Sequence, residues 1–304
     1  MRFVLKRVGG AAFVIAGTIT LVFLVLHWLP GDPAALIAGD SATAETVANI
    51  RAQLGTDRPL WNQYFIYIAG LAHGDLGTSF ATREPVLGRL WAQVPATMML
   101  TLFASGVALV AGLLLGVVSA VNRGKLLDRA IQTVMLFLTS MPSFWLGILL
   151  ILVFSVTLRW LPAIGNGSWR QLVLPVSCLG MITSGRLMRM VRSSVIDVLD
   201  EPFVTTLRGK GLRECQVLFT HVLRNALIPV VTLLGILVGE LLSGTVVVET
   251  LFARQGIGRM LVDALSVKDI PVVQGTVLLA SIFFVLINML VDLSYGLIDR
   301  RVRA

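Results

Sequence analysis

Six long apolar stretches dominate this sequence and restrict what it can fold into. A bilayer core takes roughly 20 helical residues, and each stretch has about that length or more. Because a backbone inside a membrane must satisfy its own hydrogen bonds, only helices or a closed barrel can cross. The stretches do not alternate apolar with polar residues, which favours helices. The six predicted spans are residues 8–29, 97–121, 130–158, 171–191, 226–248 and 274–298.

The composition agrees with an all-α integral membrane protein. Only 14% of the residues are charged and the mean hydropathy is +0.85, whereas roughly a quarter of a soluble domain is charged. We expect one membrane domain over 1–304, with an external segment at 30–96 and a cytosolic loop at 192–225. The first stretch is longer than the core of a typical secretory signal, so we expect it to remain as a helix.

The distribution of charge predicts the orientation. With both termini in the cytoplasm, the inner segments hold sixteen of the 25 Lys and Arg residues against six acids, and the outer segments hold equal numbers of each sign. Basic residues accumulate on the cytoplasmic side of membrane proteins. The net charge of +8 is therefore a topology signal, and its natural partner is anionic lipid of the inner leaflet rather than nucleic acid.

The external segment has its own local signals. The run Pro30-Gly31-Asp32-Pro33 must leave the first helix, because both prolines lack a backbone donor. An amphipathic helix is predicted over 43–54, and the stretch 61–67 is rich in interface-seeking aromatic residues. This stretch, with Arg83 and Glu84, would either dock an external protein or form a structural cap.

The sequence lacks the motifs of an enzyme. It has no G-x-x-x-x-G-K-[ST] phosphate loop and no serine in a G-x-S-x-G elbow. The three histidines, His27, His73 and His221, are isolated and do not have the spacing of metal ligands. We therefore expect no catalytic residue, no metal and no cofactor in this chain.

The cytosolic loop predicts a helix, a glycine and a second helix. Glu201 and Pro202 suit the first turn of a short helix, and Gly211 suits its left-handed end. A second helix is predicted from about Glu214 into the fifth span. Such a pair of helices would project into the cytosol, although an ordinary basic connecting loop fits the same residues.

This loop resembles the EAA loop of bacterial ABC importer permeases. Gly211 matches the invariant glycine of that loop, and Asn225-Ala226-Leu227-Ile228-Pro229 matches its distal element. The E-A-A positions differ, since they read Thr205-Thr206-Leu207 here.

Motifs along the whole chain resemble the dipeptide/oligopeptide permease family, and most closely its B-type subunit. In order, they are Trp28-Leu29-Pro30-Gly31-Asp32-Pro33, Gly74-Asp75-Leu76-Gly77-Thr78-Ser79, Pro142-Ser143-Phe144-Trp145-Leu146-Gly147, Val248-Glu249-Thr250-Leu251-Phe252, Gly256-Ile257-Gly258 and Asp269-Ile270-Pro271-Val272-Val273-Gln274-Gly275. Relatives of this kind import dipeptides, oligopeptides, glutathione, nickel complexes or haem, so the resemblance does not fix the cargo.

The resemblance implies a type I ABC importer permease of the bacterial cytoplasmic membrane. It would pair with a second homologous permease, with cytosolic ATPase subunits that bind ATP and Mg, and with an extracytoplasmic peptide-binding protein. Glu201–Leu212 would be the coupling helix that moves with the ATPases. Arg208 and Lys210 would contact the ATPase, although Arg208 fits lipid headgroups equally well. The residues assigned to this coupling role are Glu201, Phe203, Val204, Arg208, Gly209, Lys210, Gly211 and Leu212.

Ionisable and helix-breaking residues inside the spans leave alternatives open. Glu240 would line the pathway and meet the ammonium end of a peptide, or it would be protonated and hydrogen-bond between helices. Asp292 is expected to pair with nearby arginines or to be hydrated. Gly112 and Gly116 offer a close helix approach, and Pro142 is expected to kink the third span. A secondary transporter driven by protons or sodium is the alternative function, because it too would lack an ATP site.

Overall fold

The structure is a computed structural model and describes residues 2–28, 31–39 and 42–298, with side chains except at 2–8, 36, 243 and 291–298. Within these residues every regular element is a helix, and the only β-type pairing is an isolated bridge between Thr78 and Pro85. The helices are α1 (Arg2–Trp28), α2 (Pro33–Ala38), α3 (Ala44–Leu54), α4 (Leu60–Ala72), α5 (Val86–Val121), α6 (Leu126–Ser140), α7 (Ser143–Leu150), α8 (Arg170–Leu199), α9 (Pro202–Gly209), α10 (Glu214–Gln216), α11 (Leu223–Leu251), α12 (Ile257–Ser266) and α13 (Ile270–Ile298). Two π-helical segments extend them, Ile151–Thr157 after α7 and Val217–Val222 between α10 and α11.

Five helices in the described part of the chain are long and apolar enough to cross a membrane, and the number is six if the bent pair of α6 and α7 is counted as one span. The predicted second span began at residue 97, but α5 begins at Val86 and is helical through Pro95. The predicted fourth span ended at residue 191, but α8 continues to Leu199. Both helices extend past their apolar stretches because polar residues outside a bilayer core are compatible with a helix.

The predicted third span, 130–158, is two helices rather than one. Helices α6 and α7 meet at an angle of 106°. Met141 is extended (ψ 136°), and Pro142 is the N-cap of α7 with ψ 141°. A residue before proline avoids the helical conformation, and proline itself donates no backbone hydrogen bond. The kink expected at Pro142 is therefore a complete break.

The chain divides into two compact units, and the first comprises Met1–Thr97 and Gln255–Val285. Its core includes Val86, Leu90 and Val272. Asp269 is buried and accepts hydrogen bonds from the Ser79 hydroxyl (2.5 Å) and the Phe80 amide (2.9 Å). This carboxylate fixes the loop after α4 onto the start of α13.

Helices α2 and α3, in the external segment, are also held by a carboxylate. Asp32 accepts the Ala34 amide at the start of α2 (2.9 Å) and pairs with Arg51 of α3. Partial burial acts to raise the pKa of Asp32, but the bonds to Arg51 and Ala34 outweigh it and hold that pKa below its ordinary value.

The second unit, Met98–Arg254 and Leu286–Ala304, is built around α8. This helix packs against α6, α7 and α11, and it is the most enclosed and the least apolar of the candidate spans. Helix α5 approaches it closely, because a Cβ on Gly116 would lie 2.6 Å from the Cβ of Val191. Large apolar side chains such as Leu114 and Phe137 are exposed on the outside of the unit, as expected for a surface solvated by lipid.

Candidate coupling site

Helix α9 is a short helix with defined ends. Glu201 is its N-cap residue, in an extended conformation (φ −71°, ψ 142°), and Pro202 occupies the first helical position. Proline suits that position because the amide it lacks would have no partner within the helix. The helix ends at Gly209, so it is shorter than the Glu201–Leu212 segment that the sequence indicated.

Gly211 stops the helix through a Schellman motif. It adopts the left-handed conformation with φ 78°. Its amide donates to the Arg208 carbonyl (2.9 Å), and the Leu212 amide donates to the Leu207 carbonyl (3.3 Å). These are the two bonds of the motif, and Leu207 and Leu212 occupy the two positions between which an apolar contact usually accompanies it. A left-handed residue at this position favours glycine, since a Cβ would be strained there.

One face of α9 is anchored in the second unit. Val204 is fully buried in an apolar cluster that also contains Val195 of α8 and Val217 of the helical segment before α11. Leu207 and Leu212 pack against the same cluster. The short helix therefore has fixed contacts both with the end of the fourth span and with the start of the fifth.

The other face of α9 is exposed. It presents Phe203, Thr205 and Thr206 together with Lys210 in the following turn. Arg208 forms a two-point ion pair with Glu214 (2.9 and 3.2 Å) and remains 46% exposed. This contact, which the sequence did not indicate, orients the arginine along the surface of the loop.

A buried carboxylate lies at the cytoplasmic end of the same unit. Asp128, at the start of α6, is 2% exposed and binds the guanidinium of Arg192 on α8 through two hydrogen bonds (2.8 and 2.9 Å). It also accepts the Ser119 hydroxyl (2.6 Å) and the Gly124 amide (2.9 Å). One side chain thus ties together the end of α5, the turn that follows it, α6 and α8.

In the sequence, Asp128 and Arg192 do not stand out from the other charged residues of the inner segments. The available signal was the position of Asp128 in the first turn of a helix, where acids are favoured by the helix dipole. Its pairing with Arg192 joins residues 64 apart and depends on tertiary packing. An exposed ion pair between Arg123 and Asp200 (2.8 Å) lies at the same end of the unit, directly before α9.

Glu240, the predicted pathway residue, has a charged partner. It pairs with Arg186, which joins α11 to α8. Both side chains are 51% exposed, so the pair lies on the surface of the unit rather than inside it. The side chain of Asp292 lies outside the described residues.

Comparison with known proteins identifies the family. Residues 112–304 match the family described as binding-protein-dependent transport system inner membrane component. Residues 1–101 match the N-terminal family of the same transport systems. The chain belongs to the binding-protein-dependent transport permeases. The permease is thus a multi-pass component of the bacterial cytoplasmic membrane, as predicted.

Two relatives resemble the permease along its whole length. It is 42% identical over 303 residues to the glutathione transport system permease protein GsiC of Escherichia coli strain K12, covering 100% of this chain and 99% of that protein. It is 43% identical over 308 residues to a putative peptide transport system permease of Brucella abortus strain 2308, covering 99% and 98%.

Solved structures show the same fold at low sequence identity. The inward-facing MetNI methionine ABC transporter matches with a TM-score of 0.61 and 21% identity, over 71% of this chain and 99% of that one. An amino acid ABC transporter crystallised with histidines matches with a TM-score of 0.56 and 13% identity, over 69% and 94%. The all-α fold of type I ABC importer permeases, expected from the sequence, is confirmed.

Proposed function

We propose that the permease moves peptides inward and takes its energy from separate cytosolic ATPase subunits that grip α9. The observation that carries the proposal is the construction of this helix. Its outer face is exposed, its ends are fixed by Pro202 and Gly211, and Val204 anchors its inner face between the fourth and fifth spans. A short helix held in this way would transmit a movement of the ATPase subunits directly to the fourth and fifth spans.

The ATPase activity is assigned to other chains. The sequence contains no phosphate loop, so ATP and Mg would be bound by the partner subunits and this chain would need no cofactor. A second homologous permease would complete the pathway, and an extracytoplasmic binding protein would deliver the cargo. The family description names binding-protein dependence, which supports the extracytoplasmic binding protein as a partner.

Peptides are the proposed cargo because of the relatives' names. One relative is named as a putative peptide permease and the other as a glutathione permease. Glutathione is therefore the second candidate, and as a modified tripeptide it belongs to the same chemical class. The names of these two relatives do not favour the nickel complexes or haem considered from the sequence.

Cysteine cross-linking in the assembled complex tests the contact with the ATPase. The exposed native Cys215 is first replaced by serine. Thr205→Cys then places a reactive thiol on the exposed face of α9, and Glu45→Cys places one on the external helix α3 as the control. A short bifunctional reagent should join the thiol on α9, but not the thiol on α3, to an ATPase subunit. If the Thr205→Cys variant captures no ATPase while the complex remains assembled, α9 is not the contact.

A further inference from the structure

Helix α8 carries an exposed polar stripe that the proposed coupling role does not use. The residues of this stripe recur at spacings of three and four, which places them on one face of the helix. They are Arg186, Arg189, Ser193 and Asp197. Since the remainder of α8 is largely enclosed by the other helices of its unit, this charged stripe is the main surface that α8 offers to its surroundings.

One residue of the stripe forms an ion pair with a neighbouring spanning helix. Arg186 donates through Nη1 to Oε2 of Glu240 on α11. Arg186 lies within the predicted span 171–191 and Glu240 within the predicted span 226–248, so both side chains are expected at the level of the membrane. Arg189 lies beside the pair and donates to the Thr139 hydroxyl at 3.3 Å, so the local charge is positive in excess.

A lipid environment does not suit this surface. Charged side chains at the depth of the hydrocarbon core are strongly unfavourable, and they face water or the interior of a bundle. Both members of the pair are half exposed within this unit, so its own helices do not enclose them. The lipid-compatible surface of the unit is different in kind, because it exposes residues such as Leu114 and Phe137. The charged stripe therefore fits the wall of a polar pathway.

We propose that Arg186 and Glu240 form a site that binds the two free termini of a peptide in the pathway. The proposal rests on the peptide-import function given above. A guanidinium binds a carboxylate through two parallel hydrogen bonds, so Arg186 takes the α-carboxylate and Arg189 adds attraction for it. Glu240 takes the α-ammonium group.

The two charges of the pair would also compensate each other when no cargo is bound. Without cargo, Arg186 and Glu240 neutralise each other. A peptide with both termini free replaces this ion pair by two others, one with Arg186 and one with Glu240, so that every charge keeps a partner. A peptide with one blocked terminus breaks the pair but satisfies only one member, and the other charge is left without its partner. The site thus selects peptides with both termini free.

Uptake of three forms of one tripeptide tests this selection. The reconstituted complex is supplied with saturating binding protein and with the free, C-terminally amidated or N-terminally acetylated peptide. All variants share the same binding protein, so a change in the ratio of uptake rates belongs to the permease. The native permease should favour the free form over either blocked form by about twofold to fivefold, since each half-exposed ion pair contributes about 1 kcal/mol or less.

The variants separate the two halves of the site. Arg186→Gln should bring the free-to-amidated ratio close to one and keep the free-to-acetylated ratio, and Glu240→Gln should do the reverse. Arg51→Gln, which removes one member of the exposed ion pair with Asp32, should change neither ratio. If Arg186→Gln slows all three forms equally, or if the native permease shows no preference, the site is refuted while peptide import stands. If no form is taken up in response to ATP, the proposed function itself is wrong.

Thiol labelling tests independently whether the stripe faces water. In the Cys215→Ser background, Arg189→Cys, within the predicted fourth span, should react with a charged, membrane-impermeant thiol reagent in the assembled complex, and saturating peptide should slow the reaction. Leu114→Cys, on the apolar outer surface, should not react. An unreactive thiol in the Arg189→Cys variant would show that lipid or the second permease covers the stripe, and the proposal would then be abandoned.

Discussion

Gly211 is the residue at which the coupling loop depends most on the absence of a side chain. No neighbouring atom lies within 4 Å of the place where its Cβ would be. Its constraint is therefore conformational, since φ is 78°. The sequence alone predicted this role, because helix-ending glycine is a local signal that needs no tertiary information.

Replacing Gly211 by valine should impair coupling. An L-residue in the left-handed conformation costs roughly 1–2 kcal/mol, and a β-branched one more. We expect the end of α9 to shift and the amount of peptide imported per ATP hydrolysed to fall. Gly211→Asn should retain more of it, because asparagine tolerates this conformation. Gly74→Val is the control, since Gly74 in the external segment has a similar φ of 76° and equally open surroundings; an equal loss of coupling there would contradict the assignment.

Gly116 is limited by space rather than by conformation. A Cβ there would lie 2.6 Å from the Cβ of Val191 and 2.9 Å from the Met188 carbonyl oxygen, which belongs to the backbone of α8. Gly116→Ala should therefore push α5 away from α8 and cost about 1–3 kcal/mol. Gly106→Ala on the same helix meets nothing within 4 Å and should be neutral or slightly stabilising. Thermal unfolding in detergent measures both, and equal midpoints would show that α5 and α8 do not pack this closely.

At the scale of elements, the network around Asp128 sets the position of the cytoplasmic ends of three helices. Its carboxylate has four different donors, from Arg192, Ser119, Gln132 and the Gly124 amide. Because α8 leads directly into α9, this network also fixes the support on which the coupling helix rests. Hydropathy and charge counting cannot find such a network, since they treat each residue by its place along the chain.

Removing the charge of Asp128 should weaken this support. Asp128→Asn leaves the Arg192 guanidinium, which is 23% exposed, without its partner, and breaking a buried ion pair typically costs about 3–5 kcal/mol. We expect a lower unfolding midpoint and a weaker stimulation of ATP hydrolysis by loaded binding protein. The matched control, Asp200→Asn, removes an exposed pair with Arg123, and exposed pairs contribute about 1 kcal/mol or less. Similar losses of stability in the two variants would contradict the role given to Asp128.

The elements also show where sequence reasoning stops. Apolar length located the long helices, but it started the second span at residue 97 whereas α5 begins at Val86. Polar residues such as Arg89 and Gln93 lower the hydropathy of this part of α5, so apolar length does not detect it. They are compatible with a helix outside the bilayer core. Proline chemistry indicated a kink at Pro142, but the angle of 106° is set by packing.

At the scale of the whole molecule, membrane residence and fold class followed from the sequence, and family membership followed from resemblance. The apolar runs determine which segments enter a bilayer, and the excess of basic residues in the inner segments determines their orientation. Both are properties of the sequence. The pairing of Arg186 with Glu240 was not predictable, because it joins two spans 54 residues apart. The sequence placed a charge in the fifth span, but it did not show the partner that makes the charge tolerable.

The central claim is that energy reaches this permease from ATPases in other chains. Its most direct test is uptake of a labelled tripeptide into proteoliposomes that contain both permeases, the ATPase subunits and the binding protein. The account predicts uptake that requires ATP, stops with vanadate and falls when α9 is displaced by Gly211→Val. Uptake that is driven by a proton or sodium gradient without ATP, and that is unaffected by vanadate, would contradict it.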